Sequence, residues 1–215
     1  MRVAVHYNES DGGARETVAA IAAAGGEAAA FAADLTLAEA CTDLVDRVAA
    51  QFGSLDVLVN SAASMRRTPM GEVTPEQWDD IFALNLRAPF FCAQAAARHM
   101  AAAGKGGAII NIADLAGLEV WPGYVPHGIS KAGVIHLTRS LARTLAPAIR
   151  VNGIAPGTVL LPDDWSERDG ERLRRTTPLE RHGSPSDVVG AMLYLLAAEY
   201  VTGETLVVDG GRHIR

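Results

Sequence analysis

Short runs rich in Val, Ile and Leu alternate with alanine-rich stretches of helical period, and this alternation limits the fold more than any other feature. The predicted strands are residues 3–6, 27–33, 55–60, 108–113, 150–154 and 205–208. The predicted helices are residues 13–24, 37–52, 75–103, 125–145 and 187–198. Strands that alternate with helices predict βαβ units, and therefore a parallel sheet with right-handed crossover connections.

Residues that directly follow a strand are candidates for a site, because ligands bind to such sheets beyond the carboxyl ends of the strands. These residues are Asp34, residues 60–63, Asp114 and residues 156–158. The segment 156–185 is rich in Pro, Asp, Glu and Arg and has no strand period. Long irregular segments in a compact domain usually carry function, so we expect this segment to be a substrate loop or lid.

Composition limits the class of protein. The 215 residues predict a single domain over the whole chain, and the net charge of -6 argues against a nucleic-acid partner. Nothing in the sequence resembles a membrane span or a secretory signal, so we expect a cytoplasmic protein with no membrane partner. Cys41 and Cys92 lie in apolar helical patterns, which indicates core thiols. The histidines lack the spacing of metal ligands, so no metal site is expected.

Six stretches form a recognisable pattern in one order along nearly the whole chain. They are Asp34-Leu35, VLVNSAA at 57–63, ALNL around Asn85, Ser130-Lys131, VNGIAPG at 151–157 and VTGETLVVDGG at 201–211. Together they resemble the short-chain dehydrogenase/reductase family. Four further stretches are most similar to its pteridine reductase branch, namely HY at 6–7, IINIAD at 109–114, LPDD at 161–164 and DGGRHIR at 209–215.

The resemblance implies an α/β fold with a doubly wound, Rossmann-like parallel sheet. The family begins with a strand, a glycine-rich turn and a helix that hold the dinucleotide pyrophosphate, and no stretch of this sequence matches that unit. The strand that ends at His6 and Tyr7 resembles the family's second strand, so we expect a sheet that lacks the first strand–turn–helix. Three explanations stay open: further residues in the natural protein, a different closure of the sheet, or an edge strand from another chain.

The resemblance also implies an NAD(P)-dependent oxidoreductase that reduces a carbonyl or a pterin-like imine. Its catalytic positions are Asn85, Asp114, His127 and Lys131, with Asp114 at the family's Ser position and His127 at that of its Tyr. Imidazole has an ordinary pKa near 6.5, which suits a general acid. Asp114 favours the charged form of the ring and Lys131 disfavours it. His127 is therefore a catalytic acid, the mark of a weakened site, or an unrelated polar residue at a helix start.

Ligand contacts are implied by the same resemblance. Those to the cofactor are Asp34, Leu35, Asn60, Ser61, Ala62, Lys131, Pro156, Gly157 and Thr158. Glu9 favours NAD over NADP, because a carboxylate after this strand suits ribose hydroxyls and repels a 2′-phosphate. Those to the substrate are Met65, Tyr124 and Trp165. Arg66 and Arg67 either meet an anionic ligand or form a solvated pair in a loop.

Two other functions stay open. The unmatched glycine-rich turn and His127 also fit a non-catalytic family member, a subunit or ligand-binding module that binds no dinucleotide. Asp114 and His127 alone also fit the acid/base pair of a non-redox enzyme. In either enzyme reading the partner is a small-molecule substrate. The family assembles as dimers and tetramers, so the resemblance implies a homodimer or homotetramer built from helices 75–103 and 125–145 and strand 205–208.

Overall fold

The computed structural model describes residues 1–160 and 166–214. Its strands are β1 (Arg2–Tyr7), β2 (Glu27–Ala32), β3 (Val57–Asn60), β4 (Gly107–Ile112), β5 (Ile149–Pro156) and β6 (Thr205–Val208). Its helices are α1 (Asp11–Ala23), α2 (Ala38–Phe52), α3 (Pro75–Phe82), α4 (Ala88–Ala103), α5 (Val125–Leu145), α6 (Glu167–Thr176) and α7 (Pro185–Ala197). A π-helical turn joins α3 to α4 (Ala83–Arg87), and 3₁₀ turns lie at Leu115–Gly117 and Arg212–Ile214.

Every strand pair in the described part of the chain is parallel, as the alternation predicts. β3, β4, β5 and β6 form a four-stranded sheet in that spatial order, and β1 pairs with β2 in a separate two-stranded sheet. With helices on the connections between strands, this is the expected α/β, Rossmann-like architecture.

The core lies on both faces of the four-stranded sheet. Ile109 and Val151 belong to the larger apolar cluster, which is built with α2 and α4. Ile110 and Ile154 belong to a second cluster, where they pack with Leu195 of α7. β4 and β5 are therefore covered on both faces, which explains why their sequences are nearly continuous apolar runs.

A cavity of about 510 Å³, here called the inter-sheet cavity, separates the two sheets. Val3 and His6 of β1 line one side, and Leu58 of β3 lines the other. Leu44 of α2 and Cys92 of α4 add apolar walls. Within the described residues, β1 pairs only with β2 and β3 only with β4, so each strand keeps one unpaired edge.

The predicted single helix over 75–103 is wrong in its middle, because the π-helical turn Ala83–Arg87 divides it. The Ala88 N–H donates to the Ala83 carbonyl, one residue further back than in an α-helix. Pro89 follows at the start of α4, and proline has no N–H to continue the α-helical pattern. π-Helical turns occur frequently at functional sites, and this one contains Asn85.

Segment 156–185 was expected to be irregular, but it contains α6. The helix begins at a capping box, in which the Ser166 hydroxyl accepts from the Asp169 N–H and the Asp169 carboxylate accepts from the Ser166 N–H. The role of this segment as a lid stays a prediction. Among the described helices, none is both long enough and apolar enough to cross a bilayer.

Candidate active site

A pocket of about 640 Å³, here called the site pocket, opens beyond the carboxyl ends of β3, β4 and β5. Its walls come from the loop after β3, the residues after β4, the start of α5 and the residues after β5. The predicted site residues among them are Ser61, Met65, Asp114, Tyr124, His127, Lys131, Pro156, Gly157 and Thr158. Four separate stretches of the sequence therefore meet where a parallel sheet is expected to bind its ligand.

His127 lies in the first turn of α5 and is 2% exposed. Its Nδ1 lies 3.1 Å from the Ser64 carbonyl oxygen, and a carbonyl only accepts, so Nδ1 carries a hydrogen. Nε2 is buried without a hydrogen-bond partner and lies 3.8 Å from Asp114 Oδ2. The neutral ring therefore presents a free lone pair at Nε2, and the protonated ring presents an N–H there.

Asn85 fixes the backbone that orients His127. Its Oδ1 accepts from the Ser64 N–H at 2.7 Å, and its Nδ2 donates to the Ser64 carbonyl at 2.9 Å. The second Nδ2 hydrogen goes to Ser130 Oγ at 3.0 Å. With both amide hydrogens used, none remains for His127 Nδ1, which agrees with Nδ1 being a donor.

Asp114 is held by the 3₁₀ turn that it caps, since its Oδ1 accepts from the Ala116 N–H at 2.8 Å. That turn packs directly on the backbone of α5, and a Cβ on Gly117 would lie 2.8 Å from the Lys131 carbonyl carbon. Real Cβ atoms do not approach that closely, so only glycine lets the turn and the helix meet. This contact brings Oδ2 of Asp114 towards His127.

Lys131 lies one helical turn after His127 and is 4% exposed. Its Nζ donates to the Ile112 carbonyl at 2.9 Å. Burial lowers the pKa of the ammonium from 10.5 to about 8, and the Asp114 charge opposes this shift. Two further ammonium hydrogens have no partner among the described residues, and Lys131 lines the site pocket.

Some predicted cofactor residues lie outside the site pocket. Leu35, Asn60 and Ala62 line the inter-sheet cavity, as does Ser61, which reaches both cavities. The amide nitrogen of Asn60 donates to Asn111 Oδ1 at 2.9 Å, so this end of the side chain serves the sheet. Asp34 is exposed, and hydrogen bonds from Thr36 to its carboxylate lower its pKa. Trp165 lies outside the described residues.

Two groups at the site have no predicted role from the sequence. The Ser64 backbone holds both Asn85 and His127, and a main-chain contact leaves no side-chain signal in a sequence. Arg212 lines the site pocket, although its contact Thr158 lies 54 residues away in the chain. Within residues 1–160 and 166–214, no cluster of three or more His, Cys, Asp or Glu is placed to hold a metal ion.

The site pocket fits the nicotinamide and ribose half of a dinucleotide. Lys131 has free ammonium hydrogens there, and the orphaned Nε2 of His127 supplies a proton-transfer group beside them. The pyrophosphate is fitted less well. The helix after β1 begins with Asp11, whose carboxylate repels phosphate, and the next helix after β3 starts only at Pro75. The described residues thus fit one half of a dinucleotide better than the other.

Comparison with known proteins identifies the family. A family model described as Enoyl-(Acyl carrier protein) reductase matches residues 1–213. The chain is 38% identical over 216 residues to a 3-oxoacyl-[acyl-carrier-protein] reductase from Synechocystis, covering 98% of this chain and 86% of that protein. The chain belongs to the short-chain dehydrogenase/reductase family, and it is an oxidoreductase of that type.

Solved structures agree with the fold. A putative short-chain alcohol dehydrogenase from Sinorhizobium meliloti superposes with a TM-score of 0.93 at 39% identity, over 98% of this chain and 86% of that one. An NADPH-dependent 3-quinuclidinone reductase from Rhodotorula rubra superposes with a TM-score of 0.91 at 27% identity, over 100% of this chain and 82% of that one. Relatives of this family generally use nicotinamide dinucleotides.

Proposed function

We propose that this chain reduces the carbonyl group of a small molecule with NAD(P)H, and that His127 donates the proton. One observation carries the proposal: Nε2 of His127 is buried without a partner at the wall of the site pocket, beside Asp114 and Lys131. A reduced nicotinamide would supply the hydride. Lys131 and residues 156–158 would hold the half of the dinucleotide that carries it.

Several residues have separate roles in the proposed proton transfer. The charged ring donates from Nε2 to the carbonyl oxygen and becomes the neutral Nδ1–H form, which the Ser64 carbonyl already favours. The Asp114 carboxylate at 3.8 Å stabilises the imidazolium before transfer. Asn85 positions the ring through Ser64. In the direction of alcohol oxidation, Nε2 accepts the proton instead.

The proposed cofactor and the proposed substrate class are inferred from the sequence and from related proteins. Glu9 is exposed after β1 and favours NAD, whereas one structural relative is described as NADPH-dependent. A pterin-like imine stays a second substrate class, since the same acid serves an imine, and Met65 at the site pocket supplies an apolar contact for a ring. We also propose that the chain forms a homodimer or homotetramer and that it acts in the cytoplasm.

A second candidate is a ligand-binding member of the family that performs no redox reaction. The acidic start of α1 favours it, because the Asp11 carboxylate repels a pyrophosphate. Titration of NADH and NADPH, followed by protein fluorescence, separates the two candidates. Saturable binding supports the reductase, and no binding at millimolar cofactor supports the binding module.

The proposed acid is tested by His127→Gln, with His136→Gln on the same helix as the control. We expect kcat for ketone reduction to fall about 10²- to 10⁴-fold in the first variant and to stay near wild type in the second. Asp114→Asn removes the charge that stabilises the imidazolium at 3.8 Å, so we expect kcat to fall in this variant as well. Wild-type turnover in His127→Gln would contradict the proposal.

A further inference from the structure

Arg212 reaches from the last 3₁₀ turn into the wall of the site pocket. Its Nη1 donates to Thr158 Oγ1 at 3.2 Å, and its Cζ lies 5.4 Å from the centre of the Trp121 ring. The guanidinium is thus fixed between the loop after β5 and the aromatic residue that precedes α5. A hydrogen bond and a cation–π contact hold it in place, and neither neutralises its charge.

The charge of Arg212 has no counter-ion in the described part of the chain. Its Nε is buried without a hydrogen-bond partner. Asp209 is close in sequence, but its carboxylate accepts from the N–H groups of Gly211 and His213 and from the His213 ring. Glu119 accepts from the Trp121 indole. A partly buried cation without a partner is unfavourable, so its position beside a ligand pocket points to an anionic group on the ligand.

Arg67 adds a second guanidinium to the same pocket. The neighbouring Thr68 N–H donates to the Gly123 carbonyl at 2.8 Å, which ties this loop to the segment before α5. Arg67 lies along Gly123, with Nε 3.6 Å from the position that a Cβ would take there. Among the described lining residues, Arg67, Lys131 and Arg212 are cationic and Asp114 is the single carboxylate.

We propose that the substrate carries a carboxylate. Arg212 binds this carboxylate, and Arg67 adds a second positive charge to the same pocket. The inference rests on the proposed function, because it makes the substrate a keto acid whose carbonyl faces His127. A guanidinium fork matches the two oxygens of a carboxylate, and Arg212 has Nη2 and the second hydrogen of Nη1 left for them. The same chemistry would bind a phosphate of the dinucleotide, so the test must separate these two sources.

Isothermal titration with three keto acids of increasing length tests the proposal directly. The probes are pyruvate, acetoacetate and levulinate, each paired with its methyl ester, and inorganic pyrophosphate. Each is titrated into the whole chain with and without NADH. The variants are Arg212→Met and the more exposed Arg67→Met. The control is Arg143→Met, an exposed residue in the last turn of the 21-residue helix α5, about 25 Å along the helix from His127.

We expect at least one acid to bind about tenfold or more tightly than its ester. Arg212→Met removes that difference, Arg67→Met reduces it, and Arg143→Met leaves it unchanged. Equal binding of acids and esters, or no binding of any acid with or without NADH, overturns the inference. Competition by pyrophosphate that is lost in Arg212→Met, with no preference for the acids, assigns Arg212 to the dinucleotide and also overturns it.

Kinetics separate the failure of this inference from that of the proposed function. If ketones are reduced with equal kcat/KM for acid and ester, the reductase stands and the carboxylate site falls. If an acid binds through Arg212 but no ketone is reduced, the carboxylate site stands and the reductase falls.

Discussion

The two sheets of this molecule differ in how firmly their surroundings hold them. In the four-stranded sheet, β4 and β5 are buried on both faces, and buried amides link neighbouring elements, as where Asn111 donates to Thr138 on α5 at 3.0 Å. In the two-stranded sheet most residues are partly or fully exposed, and α1 buries only Ala14. The groups proposed to transfer a proton all lie beside the four-stranded sheet.

This difference shows where precise chemistry can be built. A misplacement of about 1 Å can cost a catalytic site on the order of 100-fold, so a proton donor needs neighbours that cannot shift. His127 meets that need, because Ser64, Asn85 and α5 all fix its ring. The two-stranded sheet contacts the rest of the molecule through more exposed elements, and one such contact is the edge-to-face pair of Phe31 and Phe52.

The largest expected effect concerns the cost of burying Lys131 in the firm region. Its pKa is lowered from 10.5 to about 8, so between these pH values the unfolded chain binds a proton that the folded chain does not. The contribution of Lys131 to the free energy of unfolding therefore rises as pH increases from about 8 to 10.5, by about 3 kcal/mol. Below pH 8 the cost of the buried charge is fully present.

Urea unfolding of wild type and Lys131→Met between pH 7.5 and 10.5 measures this contribution as the difference between the two pH profiles. Lys131→Met removes it, because methionine does not titrate, whereas Lys105→Met, at the only other lysine and an exposed one, retains it. Parallel pH profiles for wild type and Lys131→Met would show that burial does not perturb this lysine.

The next largest effect is on the free energy of unfolding when the same substitution, valine to alanine, is made in each of the two sheets. Val151 in β5 is fully buried and Val5 in β1 is only partly buried. Val151→Ala is expected to lower the free energy of unfolding by about 2 kcal/mol, and Val5→Ala by less than about 1 kcal/mol, since less apolar surface and a smaller cavity are involved. Chemical denaturation of the two variants measures both values. Equal losses would mean that the two sheets are equally firm.

The smallest expected effect concerns the side chains that attach the two-stranded sheet to the rest of the molecule. Arg15 and Arg47 each form an ion pair of 2.7 Å with an aspartate four residues earlier. Arg47 also donates to the Ala32 carbonyl at 2.8 Å and lies over the Phe31 ring. We expect Arg47→Ala to cost about 1 kcal/mol and Arg15→Ala less than about 0.5 kcal/mol, because an exposed pair alone contributes little. The reverse order, measured by thermal unfolding, would refute Arg47 as the attachment.

Much of the fold can be predicted from local pattern. The predicted helix over 125–145 has the bounds of α5, and the predicted strand over 205–208 has those of β6. In both cases the apolar period and the flanking Gly and Pro residues agree. The break before α4 could not be read in this way, because the apolar period continues through it while Pro89 interrupts only the hydrogen bonding.

The candidate site was predictable where the side chains themselves carry the chemistry. The expected pairing of Asp114 with His127 corresponds to 3.8 Å in the structure. The contacts of the Ser64 backbone and the reach of Arg212 were not predictable, because each depends on how distant segments pack. The split of the sheet agrees with the expected lack of the family's first strand, because that strand would lie between β1 and β3.

The unpaired edges of β1 and β3 have a consequence for aggregation. Along each edge, backbone N–H and C=O groups face the inter-sheet cavity without partners among the described residues, and Val59 of β3 is 39% exposed. Such edges are templates for strands of other molecules. Concentrated solutions are therefore expected to form intermolecular β-structure that starts at these edges. Shelf life would then be limited by the two-stranded sheet, however stable the four-stranded one is.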